Sequence, residues 1–218
     1  MGPQPDIIET PSPNFGPRKG GATPSLIVVH YTAMETATAA LERLCDPLFE
    51  VSAHYLISAQ GEIHQLVAED MRAWHAGAGQ WGDITDVNSH SIGIELDNRG
   101  DHPFAEPQMV ALEGLLSDVR NRWSIPPQNV IAHADMAPDR KFDPGPRFDW
   151  CRLAREGLSV WPDADHDEAK DWHTLAQEFG YPDMPEAHAA FRARFRPWAS
   201  GSVDQEDVRI LSRLLSQV

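Results

Sequence analysis

Residues 25–32 spell SLIVVHYT, a short apolar run rich in β-branched side chains. A run of this length and composition is typical of a buried β-strand. Four further segments have strand character: residues 51–58 (VSAHYLIS), 63–67 (IHQLV), 91–96 (SIGIEL) and 129–133 (NVIAH). The turn-forming AQGE between the first two of these predicts that they pair as a hairpin.

Helical segments lie between the strands. Residues 36–44 (TATAALERL) carry Leu and Ala at helical spacing, and residues 107–123 carry an apolar stripe that ends before Pro126-Pro127. The stripe consists of Met109, Leu112, Leu115, Leu116 and Val119. Because strands and helices alternate along the chain, the sequence predicts an α/β fold, with a mixed central β-sheet flanked by helices.

The composition changes after Trp161, where the acidic, turn-forming segment PDADHDEAKD follows. Three short helical patches come next, at residues 172–179, 186–195 and 204–215. We therefore expect three units: an extended lead-in at residues 1–23, a main domain at 24–162 and a small three-helix module at 163–218. A module of that size is marginal alone, so it is expected to dock on the main domain.

Charge and hydropathy exclude several classes of partner. Among 218 residues, 18 Lys and Arg stand against 33 Asp and Glu, for a formal charge of −15. A surface this acidic repels nucleic-acid phosphates and anionic lipid. No stretch approaches the roughly 20 apolar residues of a membrane span. The N-terminus lacks a secretory signal, which predicts a cytoplasmic protein, or a periplasmic one if a signal has been removed.

Three polar residues at strand ends or in loops suggest a metal site. His30 ends the first buried strand, His133 ends NVIAH, and Asp143 follows ten residues later in the loop KFDPGP. Two imidazoles and one carboxylate form a common three-ligand set for Zn²⁺. A lone histidine at a strand end is more often structural, so this spacing alone leaves both interpretations open.

Two charged residues close to these positions also have two interpretations. Glu95 interrupts the apolar run SIGIEL, where a carboxylate is either a paired core acid or a proton acceptor with a raised pKa. Lys141 lies two residues before Asp143 and is either a solvated loop charge or a donor to an oxyanion.

Longer strings carry a resemblance to a known family. VVHYTA, VSAHYLIS, AWHAG, SIGIELDN, VIAHADMAPDRKFDPGP and FDW closely resemble the zinc-dependent N-acetylmuramoyl-L-alanine amidases of the type 2 family, relatives of the peptidoglycan-recognition proteins. The resemblance covers roughly residues 24–162. The string WPDA and the helical tail further resemble a subgroup with a C-terminal peptidoglycan-binding-like helical domain.

The resemblance implies a role for each matching position. It places one zinc ion on His30, His133 and Asp143, the general base on Glu95 and the oxyanion-stabilising lysine on Lys141. It places His75 in the substrate groove, with Trp74 and Tyr31 as weaker candidates for substrate contact. Phage relatives use a Tyr beside the second-strand histidine, whereas this chain has Ala53 before His54, which favours Glu95 as the base.

The implied activity is hydrolysis of the amide between N-acetylmuramic acid and L-alanine, in peptidoglycan or in 1,6-anhydro-muropeptides. The expected partners are peptidoglycan fragments. One alternative is a non-catalytic peptidoglycan-binding protein. A second is a glycosidase that uses Glu95 and Asp97 as paired carboxylates, since residues two apart on a strand face the same side. The muramic acid form, the stem-peptide length and the oligomeric state stay open.

The tail is shorter than the family's usual bundle, between Tyr181 and Phe191. We therefore expect Phe191, Phe195 and Trp198 to cover an apolar face of the main domain rather than to hold polymer. The other histidines are assigned no chemistry. His54, His64 and His90 are expected to be structural, and His102, His166, His173 and His188 to lie on the surface.

Overall fold

The computed structural model describes residues 6–162 and 170–217. A six-stranded sheet forms its centre, in the spatial order β1-β5-β4-β7-β3-β8. Its strands are β1 (Ile7–Glu9), β3 (Leu26–Tyr31), β4 (Tyr55–Ile57), β5 (Ile63–Gln65), β7 (Ser91–Leu96) and β8 (Val130–Ala132). Two further short strands, β2 (Phe15–Pro17) and β6 (Met71–Ala73), pair with each other antiparallel.

Eight α-helices accompany the strands in the described residues. They are α1 (Ala37–Cys45), α2 (Val87–His90), α3 (Glu106–Trp123), α4 (His133–Met136), α5 (Trp150–Arg155), α6 (Trp172–Phe179), α7 (Ala187–Phe195) and α8 (Gln205–Leu215). Short 3₁₀ turns occupy Lys19–Gly21 and Pro127–Asn129. The mixed α/β architecture is the one that the sequence predicts.

The sheet is mixed because one hairpin joins an otherwise parallel core. β3 runs parallel to both β7 and β8, and β4 runs parallel to β7, whereas β4 and β5 form the predicted antiparallel hairpin. The register sets His30 directly opposite Glu95. The carboxyl ends of β3, β7 and β8 therefore meet at one edge of the sheet, which is where α/β proteins commonly place their sites.

Four of the five predicted strands are shorter in the structure, β3 by one residue at each end and β5 by two at its end. Within residues 51–58 only Tyr55–Ile57 is strand. Ser52 N donates to the carbonyl of Trp74, outside the hairpin, whereas the carbonyl of His54 still accepts from Leu66 N at 2.8 Å. The strand predicted to end at His133 ends at Ala132, and His133 opens the one-turn helix α4. The carboxylate of Asp135 accepts from the Ala132 N–H at 2.9 Å, a typical helix-start contact that stops the strand.

The N-terminal segment contributes to the framework. β1 adds an edge strand beside β5, and the Arg18 side chain donates to four backbone carbonyls, the longest contact being with Asn88 O at 3.4 Å. Its guanidinium donates to Ser89 O and Glu69 O, each at 2.7 Å, and to Ser91 O at 3.1 Å. Burial, which outweighs the nearby carboxylates, lowers the pKa of Arg18 from 12.5 to about 10, so it stays charged at neutral pH.

The three C-terminal helices share the core of the main domain. Side chains of α6, α7 and α8 belong to the same apolar cluster as the central sheet and α3. Phe191 and Phe195 are 0% and 1% exposed, as the covering role requires. The sequence predicts that Trp198 joins them, and this is wrong, because its side chain is 75% exposed. It follows Pro197 in a turn beyond the end of α7, closed by the Ala199 N–H on Arg196 O, which carries it away from the core.

Among the described residues, no helix combines the length and the apolar character that a membrane crossing requires.

Candidate metal centre

Three buried side chains converge at the carboxyl edge of the sheet. Asp143 Oδ2 lies 2.9 Å from His30 Nδ1 and 3.0 Å from His133 Nδ1, and the two Nδ1 atoms lie 2.8 Å apart. His30 comes from β3, His133 from the start of α4 and Asp143 from the following loop. The backbone joins the last two, because Ala134 N donates to Asp143 O at 3.0 Å. The structure thus brings together the three residues proposed as ligands.

Hydrogen bonds on the far side of His30 determine which ring nitrogen carries its proton. Ser91 Oγ donates to Val87 O at 2.6 Å, so it must accept from His75 Nε2, 3.1 Å away. His75 Nδ1 is then an acceptor, and His30 Nε2 donates to it at 3.0 Å. The proton of His30 therefore sits on Nε2, and its Nδ1 presents a lone pair.

His133 has the same arrangement with a backbone partner. Its Nε2 lies 3.0 Å from Ala76 O, and a carbonyl oxygen can only accept. Nδ1 of His133 is therefore also unprotonated. This second hydrogen bond orients the ring, as outer partners of metal-binding histidines usually do.

Electrostatics favour the neutral imidazole and the ionised carboxylate. Burial, and then the proximity of His133, lowers the pKa of His30 from 6.5 to about 4. Burial alone would raise the pKa of Asp143, but the proximity of His133 and His30 outweighs it and holds that pKa below its ordinary value. Two imidazole nitrogens and one carboxylate oxygen therefore face a single point.

This donor set fits a zinc ion. Two imidazole lone pairs 2.8 Å apart cannot hydrogen-bond to each other, and both also face an anionic oxygen. A cation between them removes this repulsion. Two neutral histidines and one carboxylate are ligands that Zn²⁺ takes in catalytic sites, which keep a fourth position open.

Glu95 lies beside this centre on β7. Burial, and then the charge of Asp143, raises its pKa from 4.5 to about 8, while Lys141 acts in the opposite direction. Among the described residues, Oε2 of Glu95 is buried with no hydrogen-bond partner. An acid with one unpartnered oxygen and a pKa near neutrality can accept a proton and give it back. Asp97, its proposed pair in a glycosidase, does not line the cleft, and its carboxylate lies 3.5 Å from Ala59 N.

The centre opens into a cleft of about 390 Å³. Lys141, Tyr31 and Trp74 line it, as do Arg43, Arg140 and Phe142. The phenol of Tyr31 has a raised pKa from burial and from the charge of Asp143, so it stays protonated. Phe142 is 73% exposed and gives the rim an apolar surface between Lys141 and Asp143.

His75 differs from a residue that only contacts substrate in the groove. It lines the cleft, but both of its ring nitrogens are used within the protein, by His30 and Ser91. Its ring lies against Gly93, where an added Cβ would come within 2.4 Å of the imidazole. Only glycine leaves room for this ring on β7. His75 is therefore placed to orient His30.

The remaining histidines mostly follow expectation. His54 is fully buried and accepts from Gly93 N at 2.9 Å, which supports β7. His102 and His173 are exposed, and His166 lies outside the described residues. The sequence predicts His188 on the surface, but its side chain is only 15% exposed, because it pairs with Asp207 at 2.9 Å.

Sequence reasoning missed several residues that support the site. Arg140 and Phe142 stand on either side of Lys141 in the string that carries the resemblance, so adjacency was an available signal. Arg140 donates to Ala76 O at 2.6 Å, the same carbonyl that orients His133. Ser91 orients His75 from a distant segment, and no local pattern marks it. Asp135 accepts from Ala132 N three residues earlier, so its place in a helix-start pattern was an available signal.

Comparison with known proteins supports the family resemblance. The family model described as N-acetylmuramoyl-L-alanine amidase (Amidase_2) matches residues 20–146. N-acetylmuramoyl-L-alanine amidase AmiD of Escherichia coli K12 is 38% identical over 231 residues, which cover 88% of this chain and 82% of AmiD. The 1,6-anhydro-N-acetylmuramyl-L-alanine amidase AmpD of the same organism is 36% identical, over 66% of this chain and 87% of AmpD.

Two solved structures match almost the whole chain. E. coli AmiD, in complex with anhydro-N-acetylmuramic acid-L-Ala-D-γ-Glu-L-Lys, superposes with a TM-score of 0.81 at 35% identity, covering 94% of this chain and 98% of that one. AmpDh3 of Pseudomonas aeruginosa, in complex with anhydromuramic pentapeptide, gives a TM-score of 0.80 at 30% identity, covering 91% and 94%. Both likenesses extend through most of the residues beyond position 162.

Proposed function

The chain belongs to the N-acetylmuramoyl-L-alanine amidase family, and we propose that it cuts the amide between N-acetylmuramic acid and L-alanine using one zinc ion held by His30, His133 and Asp143. The observation that carries the proposal is the convergence of two imidazole lone pairs and a carboxylate oxygen beside Glu95, whose Oε2 is buried. A binding protein has no need of a proton acceptor at that point.

The proposed substrate is a muropeptide, in the 1,6-anhydro form or within peptidoglycan. The AmiD and AmpDh3 complexes support this class, since both hold anhydromuramyl peptides. The cleft of about 390 Å³ is within the size range of small-ligand sites. Placement in the cytoplasm stays a prediction.

Different side chains of this protein have different roles in amide hydrolysis. When bound, Zn²⁺ supplies Lewis-acid polarisation and makes water more acidic. Glu95 accepts the proton of the attacking water and delivers it to the departing L-alanine nitrogen. Lys141 donates to the carbonyl oxygen as negative charge develops on it. His75 and Ser91 keep the lone pair of His30 directed at the centre.

Product analysis tests the proposal directly. Purified, zinc-loaded protein is incubated with a synthetic anhydro-muropeptide and, separately, with whole sacculi. An amidase releases free peptide from one or both, whereas a glycosidase releases new reducing ends. A binding protein releases neither, and this result would overturn the proposal.

A pair of matched variants identifies the base. Glu95→Gln should lower turnover by roughly 10²–10⁴ with zinc still bound, because the amide cannot accept the proton. Asp97→Asn is the control, since Asp97 lies two residues away and outside the cleft. It should leave turnover unchanged. Equal losses in both variants would favour the paired-carboxylate alternative.

A further inference from the structure

We propose that the C-terminal helices position a zinc ligand, with Tyr181 and Arg194 holding Asp135, the residue that caps the turn carrying His133. The inference rests on the proposed zinc site and assigns the tail a role in it. The tail residues act as positioning residues, because neither lines the cleft.

Asp135 is the point where the two parts of the chain meet. Its Oδ2 accepts from Ala132 N at 2.9 Å and so fixes the first turn of α4. From the tail, the Tyr181 hydroxyl donates to Oδ1 at 2.9 Å, and Arg194 Nη1 donates to Oδ2 at 2.6 Å. The side chains of Asp135 and Arg194 are both 0% exposed.

Arg194 is itself anchored to the main domain by other contacts. Its Nη2 donates to Val130 O on β8 at 3.0 Å and to Ser159 Oγ at 3.2 Å. Its guanidinium carbon lies 4.2 Å from the centroid of the Trp150 ring. The cation therefore ties α7 to the strand that precedes His133 as well as to the turn that carries it.

The geometry of α4 determines where two ligands lie. His133 is its first residue, and Ala134 N donates to Asp143 O at 3.0 Å. Without Arg194 and Tyr181, Asp135 would be a buried carboxylate with one backbone donor. Such a group either draws in water or changes rotamer, and both loosen the start of α4. His133 Nδ1 would then be less firmly held for the metal.

If the tail only stabilised the fold, the expected result would be different. Loss of any buried arginine in α7 would lower the melting temperature, but zinc affinity would stay the same in the folded protein. Arg192 provides the matched control. It lies in the same helix, is 6% exposed and donates to Asp207 at 2.7 Å, within the tail itself.

The test compares Arg194→Met with Arg192→Met in the full chain. The zinc dissociation constant is measured by competition with a chromophoric chelator, well below the melting temperature of each variant. Arg194→Met should weaken zinc binding by about 10-fold, the low end of the effect of losing an outer partner of a metal site. It should also change the visible absorption spectrum of the Co²⁺-loaded protein. Arg192→Met should change neither.

Tyr181→Phe keeps the inference testable if Arg194→Met does not fold. It removes a single hydroxyl and should weaken zinc binding in the same direction, by a smaller factor. Unchanged zinc affinity and Co²⁺ spectrum in Arg194→Met and Tyr181→Phe, with wild type binding zinc normally, would overturn the positioning role alone. A wild-type chain that binds no zinc would overturn the proposed function as well.

Discussion

Replacing Glu95 with glutamine should change how the stability of the zinc-free protein depends on pH. The substitution keeps the side chain's size and removes its charge. Burial and the charge of Asp143 raise the pKa of Glu95 from 4.5 in its ordinary state to about 8 in the fold. The folded chain therefore holds a proton that the unfolded chain releases. Stability is fully present below pH 4.5 and is lost as the pH rises through about 8.

The size of the effect follows from that difference. Each pH unit between the two pKa values corresponds to about 1.4 kcal/mol, so the wild-type free energy of unfolding should fall by up to about 5 kcal/mol relative to Glu95→Gln. Rearrangement and water entry reduce this figure. Zinc should reduce it further, because a cation on Asp143 offsets the negative charge that raises the pKa of Glu95.

Urea unfolding of both proteins between about pH 5 and about pH 8.5, with and without zinc, measures the effect. The gap between Glu95→Gln and wild type should widen with pH in the zinc-free protein and stay narrower in the loaded one. Parallel curves across that range would show that Glu95 ionises at its ordinary pKa, and the reasoning from its burial would be wrong.

Four further variants test other parts of the molecule. His133→Ala should lose most of the zinc that elemental analysis finds in wild type, and full occupancy would remove His133 from the site. Lys141→Ala should lower kcat by roughly 10²–10³ if the ammonium donates to the developing oxyanion, whereas a change in KM alone would make it a binding residue. Phe191→Ala should lower the free energy of unfolding by about 3–5 kcal/mol, while Trp198→Ala, at an exposed position, should leave it nearly unchanged. The reverse order in urea unfolding would contradict the packing of the tail.

The parts of the fold that the sequence predicts are those that depend on local pattern. The runs at residues 25–32 and 91–96 are strands β3 and β7, and the stripe from Met109 to Val119 is the buried face of α3. Periodicity suffices there because a strand or helix that buries one face must repeat its apolar residues along that face.

The parts it misses depend on contacts between distant segments. His133 begins helix α4 because the Asp135 carboxylate accepts a hydrogen bond from the Ala132 N–H. Tyr181 and Arg194, some fifty positions later in the chain, donate hydrogen bonds to the same carboxylate. His75 faces inward because Gly93, on another strand, leaves room for its ring. Neither the tail residues that contact Asp135 nor the glycine that contacts His75 can be identified from the sequence close to those two residues. The family motif names the candidate ligands, but it does not name the groups that orient them.

Buried contacts connect the tail to the main domain. An acidic connector follows Trp161, and the sequence predicts a small helical module beyond it that docks on the main domain. Phe191 and Phe195 share an apolar core with the central sheet, and a buried ion pair joins Arg194 to Asp135. Burying that pair is favourable only while both partners and their other hydrogen bonds are in place. The tail and the turn that carries His133 therefore depend on each other, and a substitution in one should affect the other.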